Sequence, residues 1–403
     1  MADGTALGPE GLLRICRSLV ADELGQTRHV VGDFQRLSLG WPVDQNLRED
    51  GIELDSLELQ NCTARIAEFF RLFETGTEDL LLARPWLSGW VDTLLMALPH
   101  GSGLLTFQTS GSTGAPKTVH HPVDRLLRDA RAIAQLAAPG RILSCVPPHH
   151  VYGAIYTAVL PALCDIPCID TRAEAPSRVT ADMRAGDLLV TTPFLLRNFL
   201  RRIERFPEGV TVLTSSAPLP CHLARAVSNA GAARLIDIYG STETLGVGWR
   251  TDATAPYTLF SHWDCTEDGR TLIDRDGCER VATMDVIDMA DERRFRVLGR
   301  RDRAVQIGGV NVHPAAVETT LNDVYGVEYA EVEAVFAPNG LDVALVARIA
   351  LAQGVEPSGV ERAAVQHVRE RHGPLSVPRS FEWIERPEVT AMGKVVRSHR
   401  GAA

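Results

Sequence analysis

The chain has 403 residues, of which 45% are hydrophobic and 23% charged, and its formal net charge is −10 at pH 7. This composition is that of a soluble globular protein, and the length predicts two or three domains. The negative charge argues against a general nucleic-acid binder, which needs a basic face to release counterions. No apolar run approaches the ~20 residues of a membrane span, so we expect neither nucleic acid nor membrane among the partners.

The N-terminus and the cysteines favour a cytoplasmic protein. The first twenty residues lack the charged and then apolar pattern of a signal peptide and are typical of an amphipathic helix. The eight cysteines form no paired CxxC motif, which predicts reduced thiols. Cys164 and Cys168 are four residues apart, but Pro167 between them and the lack of a matching His or Cys pair argue against a metal site.

The first hundred residues predict a helical region. In REDGIELDSLELQNCTARIAEFF, Asp55 and Glu58 flank Ser56 in the pattern of a capping box, which by itself explains a helix start. The triplet DSL at the head of an amphipathic helix also resembles the phosphopantetheine attachment site of acyl carrier proteins. Ser56 is therefore either part of a capped structural helix or a carrier serine, and the region is carrier-protein-like.

From residue 103 onward, short apolar runs alternate with helical patterns, among them LLTF, RILSCV, DLLVTT, VTVLTSS and RLIDIYG. This alternation predicts a large α/β domain with mixed sheets covered by helices. After about residue 254, short runs between turn residues indicate antiparallel strands. Beyond residue 303 a smaller α+β unit is predicted, with a helix that opens at Pro314. We predict domains at 1–98, 99–299 and 300–403.

Two clusters of glycine, serine and threonine follow predicted strands. FQTSGSTGAPKTV ends in Lys117, and its glycines and hydroxyls suit the approach of an oxyanion. Its spacing matches neither a Walker loop nor a Rossmann turn. IDIYGSTETLG carries Glu243, and a carboxylate beside phosphate-binding hydroxyls suits a magnesium–nucleotide complex. The two clusters together predict a nucleotide site.

Lysine is almost absent from the chain. Of the 41 Lys and Arg residues, only Lys117 and Lys394 are lysines. Lysine is a compact charge on a flexible stem that can reach a phosphate or a carboxylate as a point charge. In such an arginine-biased chain, a functional role is favoured over that of two solvated surface lysines.

Three further motifs follow the two clusters in the chain, namely TMDVIDM, VLGRRDRAVQIGGVNVHPAAVE and AMGKVVR. Taken in this order, the motifs resemble those of the adenylate-forming superfamily, which contains acyl-CoA synthetases, peptide-synthetase adenylation domains and luciferases. The resemblance covers roughly residues 103–400. It implies ATP and Mg²⁺ as cofactors and the thiol of CoA or phosphopantetheine as co-substrate. It also implies a mobile C-terminal domain that rotates between the two half-reactions.

The resemblance implies roles for single residues. ATP and AMP would be bound by Thr109, Ser110, Gly111, Ser112, Thr113, Gly114, Lys117, Tyr239, Gly240, Ser241, Thr242, Asp285 and Arg300. Residues 109–114 and Lys117 would hold the outer phosphates, and Asp285 with Arg300 the ribose. The remaining residues implied are Glu243 as the Mg²⁺ ligand, Asp302 as the hinge, Gly308 and Gly309 on the thiol-guiding face, and Lys394 at the α-phosphate and the attacking carboxylate oxygen.

The acyl pocket is implied by SCVPPHHVYGAIYTAV, which resembles the family stretch whose histidine gates the carboxylate pocket. That histidine would be His150, and His149 has no assigned role. The pocket walls would be Tyr152, Ser215, Ser216 and Ala217. Amino-acid-activating domains place an aspartate in this run, and none is present, so an amino acid is not expected. Small residues beside aromatic ones suit a flat ring.

Two departures from the family pattern matter. The stretch before the glycine-rich loop is shorter than in the usual member, and the chain looks like the small 4-coumarate:CoA ligase group associated with photoactive yellow protein. Gln306 stands where many relatives have lysine, a departure that bears on the handling of CoA.

The expected function is that of an ATP-dependent ligase. It would activate a hydroxycinnamate- or hydroxybenzoate-like acid as acyl-AMP and pass it to CoA or an acyl carrier protein. One alternative is a diazotising enzyme that activates nitrite toward an aryl amine. Another is a carrier or scaffold protein with a degenerate ligase portion, and for a luciferase-like oxygenase no discriminating residue is found.

Overall fold

The structure is a computed structural model, which describes residues 4–28, 33–49, 52–108, 117–275, 279–300, 305–307, 310–336 and 343–385. These residues form two compact units. The first contains 4–216 and 227–247, and the second contains 217–226 and 248–385, apart from the gaps named above. The domain boundaries expected from the sequence, at 98/99 and 299/300, stay a prediction.

The helices of the first unit come in two groups. Those before residue 100 are α1 (Gly8–Thr27), α2 (Asp33–Leu37), α3 (Ser56–Phe70), α4 (Asp79–Ala83) and α5 (Leu87–Ala97). Those after it are α6 (Val123–Ala137), α7 (Val151–Ala154), the π-helical turn Ile155–Val159, α8 (Leu160–Cys164), α9 (Pro176–Asp182), α10 (Pro193–Leu200) and α11 (Cys221–Asn229), whose first residues belong to the second unit.

The strands of the first unit form a hairpin and a parallel sheet. The hairpin is β1 (Leu104–Gln108) with β2 (Thr118–Pro122), paired antiparallel from Leu104↔Pro122 to Gln108↔Thr118. The parallel strands are β3 (Arg141–Ser144), β4 (Cys168–Asp170), β5 (Asp187–Thr191), β6 (Thr211–Thr214) and β7 (Arg234–Ser241), in the order β7-β6-β5-β3-β4. In β5 and β6 every residue is buried, as expected of parallel strands covered on both faces.

The second unit contains mostly antiparallel strands, one parallel pair of strands and two helices. Its strands are β8 (Leu245–Arg250), which enters the unit at Gly248, β9 (Tyr257–Leu259), β10 (Trp263–Cys265), β11 (Thr271–Asp274), β12 (Arg280–Ala282), β13 (Asp285–Met289), β14 (Arg294–Arg300), β15 (Val305–Ile307), β16 (Val310–Val312), β17 (Val327–Phe336), β18 (Val343–Leu351) and β19 (Ser380–Ile384). Its helices are α12 (Pro314–Asn322) and α13 (Pro357–His372), which share an apolar core with β17 and β18. The parallel pair is β18 with β19.

The fold class predicted from the sequence is confirmed. The strands expected at LLTF, RILSCV, DLLVTT, VTVLTSS and RLIDIYG are β1, β3, β5, β6 and β7. The antiparallel strands after residue 254 and the smaller α+β portion beyond residue 303 are also present. Among the described residues, none of the helices combines the length and the apolar character that a membrane span needs.

The N-terminal helices are an integral part of the first unit. Helix α1 packs against α3, α5 and the π-helical turn. A Cβ atom added to Gly11 of α1 would lie only 3.3 Å from the Cβ of Ala158 in that turn, so the two segments are in close contact. The region is therefore helical, as predicted, and is packed into the α/β unit.

The predicted capping box opens α3. Asp55 accepts hydrogen bonds at 2.8 Å from the backbone N–H groups of Leu57 and Glu58, and the Glu58 carboxylate accepts one at 3.1 Å from the N–H of Asp55. Glu58 also pairs with Arg28 at 2.7 Å. Ser56 is exposed in the first turn, and its assignment as a carrier serine stays a prediction.

We expect Asp55→Ala to lower the free energy of unfolding by about 1 kcal/mol, because two backbone donors lose their acceptor. Ser56→Ala, one residue away, is the matched control and should change it by less than about 0.5 kcal/mol. Urea denaturation of the three proteins measures both values. An equal loss for the two variants would contradict the assignment of Asp55 as the cap.

Candidate active site

The candidate residues of the first unit gather at one edge of the parallel sheet. Strands β3, β5, β6 and β7 are parallel, with the pairs Leu189↔Val212, Val212↔Leu235 and Thr214↔Asp237 in register. Their carboxyl ends therefore lie at a common edge, which is where open α/β sheets bind ligands. The segments 145–150 and 215–216 follow β3 and β6 directly, and the segment 239–243 comprises the last residues of β7 and the start of the turn after it.

The loop after β3 is packed tightly against the helix that follows it. Gly153 of α7 faces the loop, and a Cβ atom added there would lie 2.0 Å from the carbonyl oxygen of Pro147. Only glycine allows this approach. The loop is thereby held with the two histidines at its end, and their rings lie 4.3 Å apart at an interplanar angle of 47°.

The two histidines differ in environment. His149 is buried, and burial together with the positive charges of His150, Arg65 and Arg172 lowers its pKa well below the usual value. His149 is thus a neutral ring at neutral pH. His150, the residue expected to gate the acid, is only partly buried and directly precedes α7.

Tyr152 is fixed over the same edge. Its hydroxyl lies 3.1 Å from the carbonyl oxygen of Thr191 at the end of β5 and 3.0 Å from that of Leu213 near the end of β6. Burial raises the pKa of the hydroxyl well above 10, so it stays a donor. The hydroxyl is thus bound to the sheet backbone, and the role of the Tyr152 ring as a wall of the acid pocket stays a prediction.

The end of β6 carries a conformational irregularity. Ser215 is buried and donates from its hydroxyl to the carbonyl of Ile238 in β7 at 2.8 Å. Ser216 has φ = 78°, a left-handed conformation that a non-glycine residue adopts at a cost of about 1–2 kcal/mol. Ala217 is exposed and belongs to the second unit. The two serines expected in the pocket wall are therefore at the sheet edge.

The end of β7 and the turn after it have a defined backbone geometry. A Cβ atom at Gly240 would lie 2.1 Å from the carbonyl oxygen of Leu245, so a side chain is excluded there. The Ser241 N–H donates to the Thr244 hydroxyl at 3.1 Å. This leaves Glu243 exposed at the tip. Asp129 of α6 accepts from the N–H of Gly246 at 2.6 Å and anchors the far side of the turn.

The same turn is tied to the β1–β2 hairpin. The Nε2 atom of His121 in β2 lies 2.6 Å from the carbonyl oxygen of Thr242. Lys117 is exposed just before β2, whereas residues 109–114, the rest of the expected phosphate loop, lie outside the described residues. The hairpin that carries this loop and the turn that carries Glu243 are therefore neighbours, as a shared nucleotide site requires.

The N-terminal helices support the hairpin from behind. Phe69 of α3 packs edge-on against Phe107 of β1, with ring centroids 5.2 Å apart. Arg71 lies 3.3 Å from Nδ1 of His120 in β2, and the Thr106 hydroxyl lies 3.1 Å from the same atom. The hairpin is thus held by aromatic packing and by hydrogen bonds.

Magnesium would have a suitable ligand in Glu243. Mg²⁺ is usually bound by one or two carboxylates together with substrate phosphates and waters, and a single exposed carboxylate in a turn of hydroxyl residues fits that pattern. The described residues contain no cluster of three or more His, Cys, Asp or Glu side chains that could hold a metal by themselves.

In the second unit, Asp285 and Arg300 are directly opposite each other in the antiparallel pair β13–β14. The two residues expected to hold the ribose are therefore adjacent. Gln306 of β15 pairs with Asn311 of β16. The other predicted positions of this unit, Asp302, Gly308, Gly309 and Lys394, lie outside the described residues, and their roles stay predictions.

Sequence reasoning missed several residues that shape the site. They are Ser18, His121, Asp129 and Gly153. Gly153 had a visible signal, a glycine inside a helical pattern directly after PPHHVY. The other three act through contacts with residues far away in the sequence, which no local pattern reveals.

Comparison with known proteins identifies relatives that cover most of the chain. Residues 99–268 match the AMP-binding enzyme family. The chain is 36% identical over 331 residues to a 4-coumarate–CoA ligase of Cereibacter sphaeroides, covering 78% of this chain and 80% of that one. It is also 36% identical over 318 residues to a 4-coumarate–CoA ligase of Halorhodospira halophila, with the same coverage.

Two solved structures share the fold. An amide bond synthetase from Marinactinospora thermotolerans has a TM-score of 0.63 at 18% identity, covering 95% of this chain and 92% of its own. An O-succinylbenzoate coenzyme A synthetase from Bacillus subtilis, in complex with ATP and a magnesium ion, has a TM-score of 0.61 at 16% identity, covering 96% and 92%.

We expect Gly153→Ala to lower the free energy of unfolding by about 3 kcal/mol, because the new methyl group cannot fit beside the Pro147 carbonyl. The matched control is Gly359→Ala in α13, where an added Cβ meets no atom within 4 Å. That control should keep or raise stability by about 0.5–1 kcal/mol. Urea denaturation and soluble yield measure both, and equal stability of the two variants would contradict the tight packing.

Proposed function

Since the chain belongs to the AMP-binding enzyme family, with 4-coumarate–CoA ligases among its relatives, we propose that it is an AMP-forming CoA ligase for an aromatic carboxylic acid. The observation that carries the proposal is the gathering of His150, Tyr152, Ser215 and Ser216 at the same sheet edge as the turn that bears Glu243. An acid pocket and a nucleotide site side by side are what adenylation needs.

In the proposed first half-reaction, a carboxylate oxygen of the acid attacks the α-phosphorus of ATP. The bond from that phosphorus to the bridging oxygen breaks, and pyrophosphate leaves. Two anions approach each other in this step, so positive charge and hydrogen-bond donors are needed where the negative charge accumulates. Lys117 and residues 109–114 would hold the outer phosphates, Mg²⁺ on Glu243 would neutralise them, and Lys394 would reach the α-phosphate.

In the second half-reaction, the thiolate sulfur of CoA attacks the acyl carbon of the adenylate and AMP leaves. Asp285 and Arg300 would keep the nucleotide in place through its ribose. Gly308 and Gly309 would line the path of the thiol. Asp302 would be the hinge about which the C-terminal domain rotates between the two half-reactions. We propose CoA as the acceptor because the curated relatives are CoA ligases.

The aromatic nature of the acid is inferred from the walls of the pocket. Tyr152 offers a fixed ring because its hydroxyl is used by the sheet backbone. Ser215 and Ser216 are small, and Tyr239 lies near the end of β7. Small residues beside aromatic ones suit a planar ring, such as that of a hydroxycinnamate or hydroxybenzoate.

The test is ATP–pyrophosphate exchange over a panel of 4-coumarate, 4-hydroxybenzoate and an aliphatic acid, followed by product analysis with CoA, with nitrite and with no acceptor. We expect exchange with an aromatic acid and an acyl-CoA product. Exchange with the aliphatic acid alone would refute the aromatic assignment. Nitrite-dependent AMP release with an aminoaryl acid, and none with CoA, would replace the ligase by a diazotising enzyme.

We further expect Lys394→Ala to reduce adenylate formation at least about 100-fold while sparing thioester formation from a supplied acyl-adenylate. The reason is that its charge is needed only while the carboxylate approaches the phosphate. Arg397→Ala, three residues later, is the control and should keep both half-reactions. Separate stopped assays of the two half-reactions measure this, and an equal loss in both would make Lys394 structural.

A further inference from the structure

The N-terminal helix α1 reaches the histidine pair through a single buried serine. Ser18 has no exposed surface, and its hydroxyl oxygen lies 2.7 Å from Nδ1 of His149, which is 131 residues away in the sequence. His149 is itself 8% exposed. A hydrogen bond shielded from water in this way is stronger and more directional than one at the surface.

Ser18 is held in place by its own partners. The Gln35 side-chain amide donates to the carbonyl oxygen of Ser18 at 3.1 Å, and Arg172 donates to the Gln35 amide oxygen. Arg172 in turn pairs with Asp170 at the end of β4 at 2.8 Å. Four residues therefore connect α1, α2 and the end of β4 into one polar network.

The network continues along α1. Arg14, one helical turn before Ser18, donates to the carbonyl oxygen of Cys168 in β4 at 2.9 Å and lies 3.6 Å from Asp170. Helix α1 is thereby fixed to the same part of the sheet that carries the histidine loop. The position of the Ser18 hydroxyl relative to His149 is set by several independent contacts.

The contact between the two histidine rings also restrains the orientation of His150. The two rings lie 4.3 Å apart and are tilted by 47°, so a rotation of the His149 ring would displace its neighbour. The Ser18 hydroxyl can donate to Nδ1 or accept from an Nδ1–H group, so the contact restrains the ring in either tautomer. The orientation of the His149 ring therefore depends on α1.

We propose that Ser18 is a positioning residue of the acid-binding site, which through His149 fixes the orientation of His150 toward the substrate carboxylate. The proposal rests on the proposed function, because it takes His150 as the residue that meets the acid. Under this proposal, the N-terminal helices contribute to the acid-binding site of their own chain.

The chain offers a matched control in Ser38. It is as buried as Ser18 and belongs to the same N-terminal region, and its hydroxyl donates to the carbonyl oxygen of Gln35 at 3.1 Å. Among the contacts of the described residues, it makes none with a histidine. Ser18→Ala and Ser38→Ala each remove a buried serine hydroxyl that contacts Gln35, and the contact with His149 is lost only in Ser18→Ala.

The experiment compares wild type with Ser18→Ala, Ser38→Ala, His149→Phe and the Ser18→Ala/His149→Phe double variant. In ATP–pyrophosphate exchange, Ser18→Ala should raise KM for the aromatic acid about 10-fold and leave KM for ATP within about 2-fold. Ser38→Ala should leave both unchanged. In the His149→Phe background, Ser18→Ala should have no further effect on KM for the acid.

A second readout does not depend on activity. In protein labelled with ¹⁵N-histidine, the ring resonances of His149 are those lost in His149→Phe. Ser18→Ala should shift them, and Ser38→Ala should not. If Ser18→Ala fails to fold, Ser18→Cys keeps the volume with a weaker hydrogen-bonding group and should shift them in the same direction.

Unshifted His149 resonances in Ser18→Ala, or KM changes equal to those of Ser38→Ala, would overturn the proposal. An effect of Ser18→Ala that persists in the His149→Phe background would overturn it as well. If wild type shows no exchange with any aromatic acid, the proposed function fails, and the ring resonances alone then decide whether Ser18 orients His149.

Discussion

The parallel pairing of β3, β5, β6 and β7 is the constraint on which the rest of the account depends. Because the strands run in one direction and are in register, the segments that follow them must emerge at a single edge. Histidines, serines and the Glu243 turn come from distant parts of the sequence and meet only for this reason. The sheet therefore sets the place at which these side chains can act together.

Tight backbone contacts fix the conformation of the segments at that edge. At Gly153 and at Gly240 a side chain would collide with a carbonyl group about 2 Å away. The first contact holds the histidine loop against α7, and the second folds the turn that exposes Glu243. Glycine has the same purpose at both places, which is to let two segments approach more closely than any Cβ atom allows.

The N-terminal helices act as a platform behind the site. Helix α1 contacts His149 through Ser18, and α3 and Arg71 contact the hairpin that leads to Lys117. The short region before the glycine-rich loop, which by sequence resembles a carrier protein, is thus packed into the unit that bears the site.

The sequence predicted the order and type of the elements well, because buried strands and amphipathic helices leave periodic patterns. The capping box at Asp55 was also legible, since all of its members lie within four residues. The close approach at Gly240 and the contacts of Ser18, His121 and Asp129 were not predicted. Each joins residues more than a hundred positions apart or depends on backbone distances, and neither kind of contact has a local signature. The roles of residues 109–114 and Lys394 rest on family resemblance.

The most direct test of the central claim is a crystal structure of the protein with a non-hydrolysable aryl-adenylate analogue. We expect the aromatic ring to lie at the carboxyl edge of β3, β5 and β6, within about 4 Å of Tyr152 and Ser215. We also expect the hydrogen bond between Ser18 and His149 to be retained. An aromatic ring bound elsewhere, or bound at this edge with α1 displaced from His149, would contradict the account.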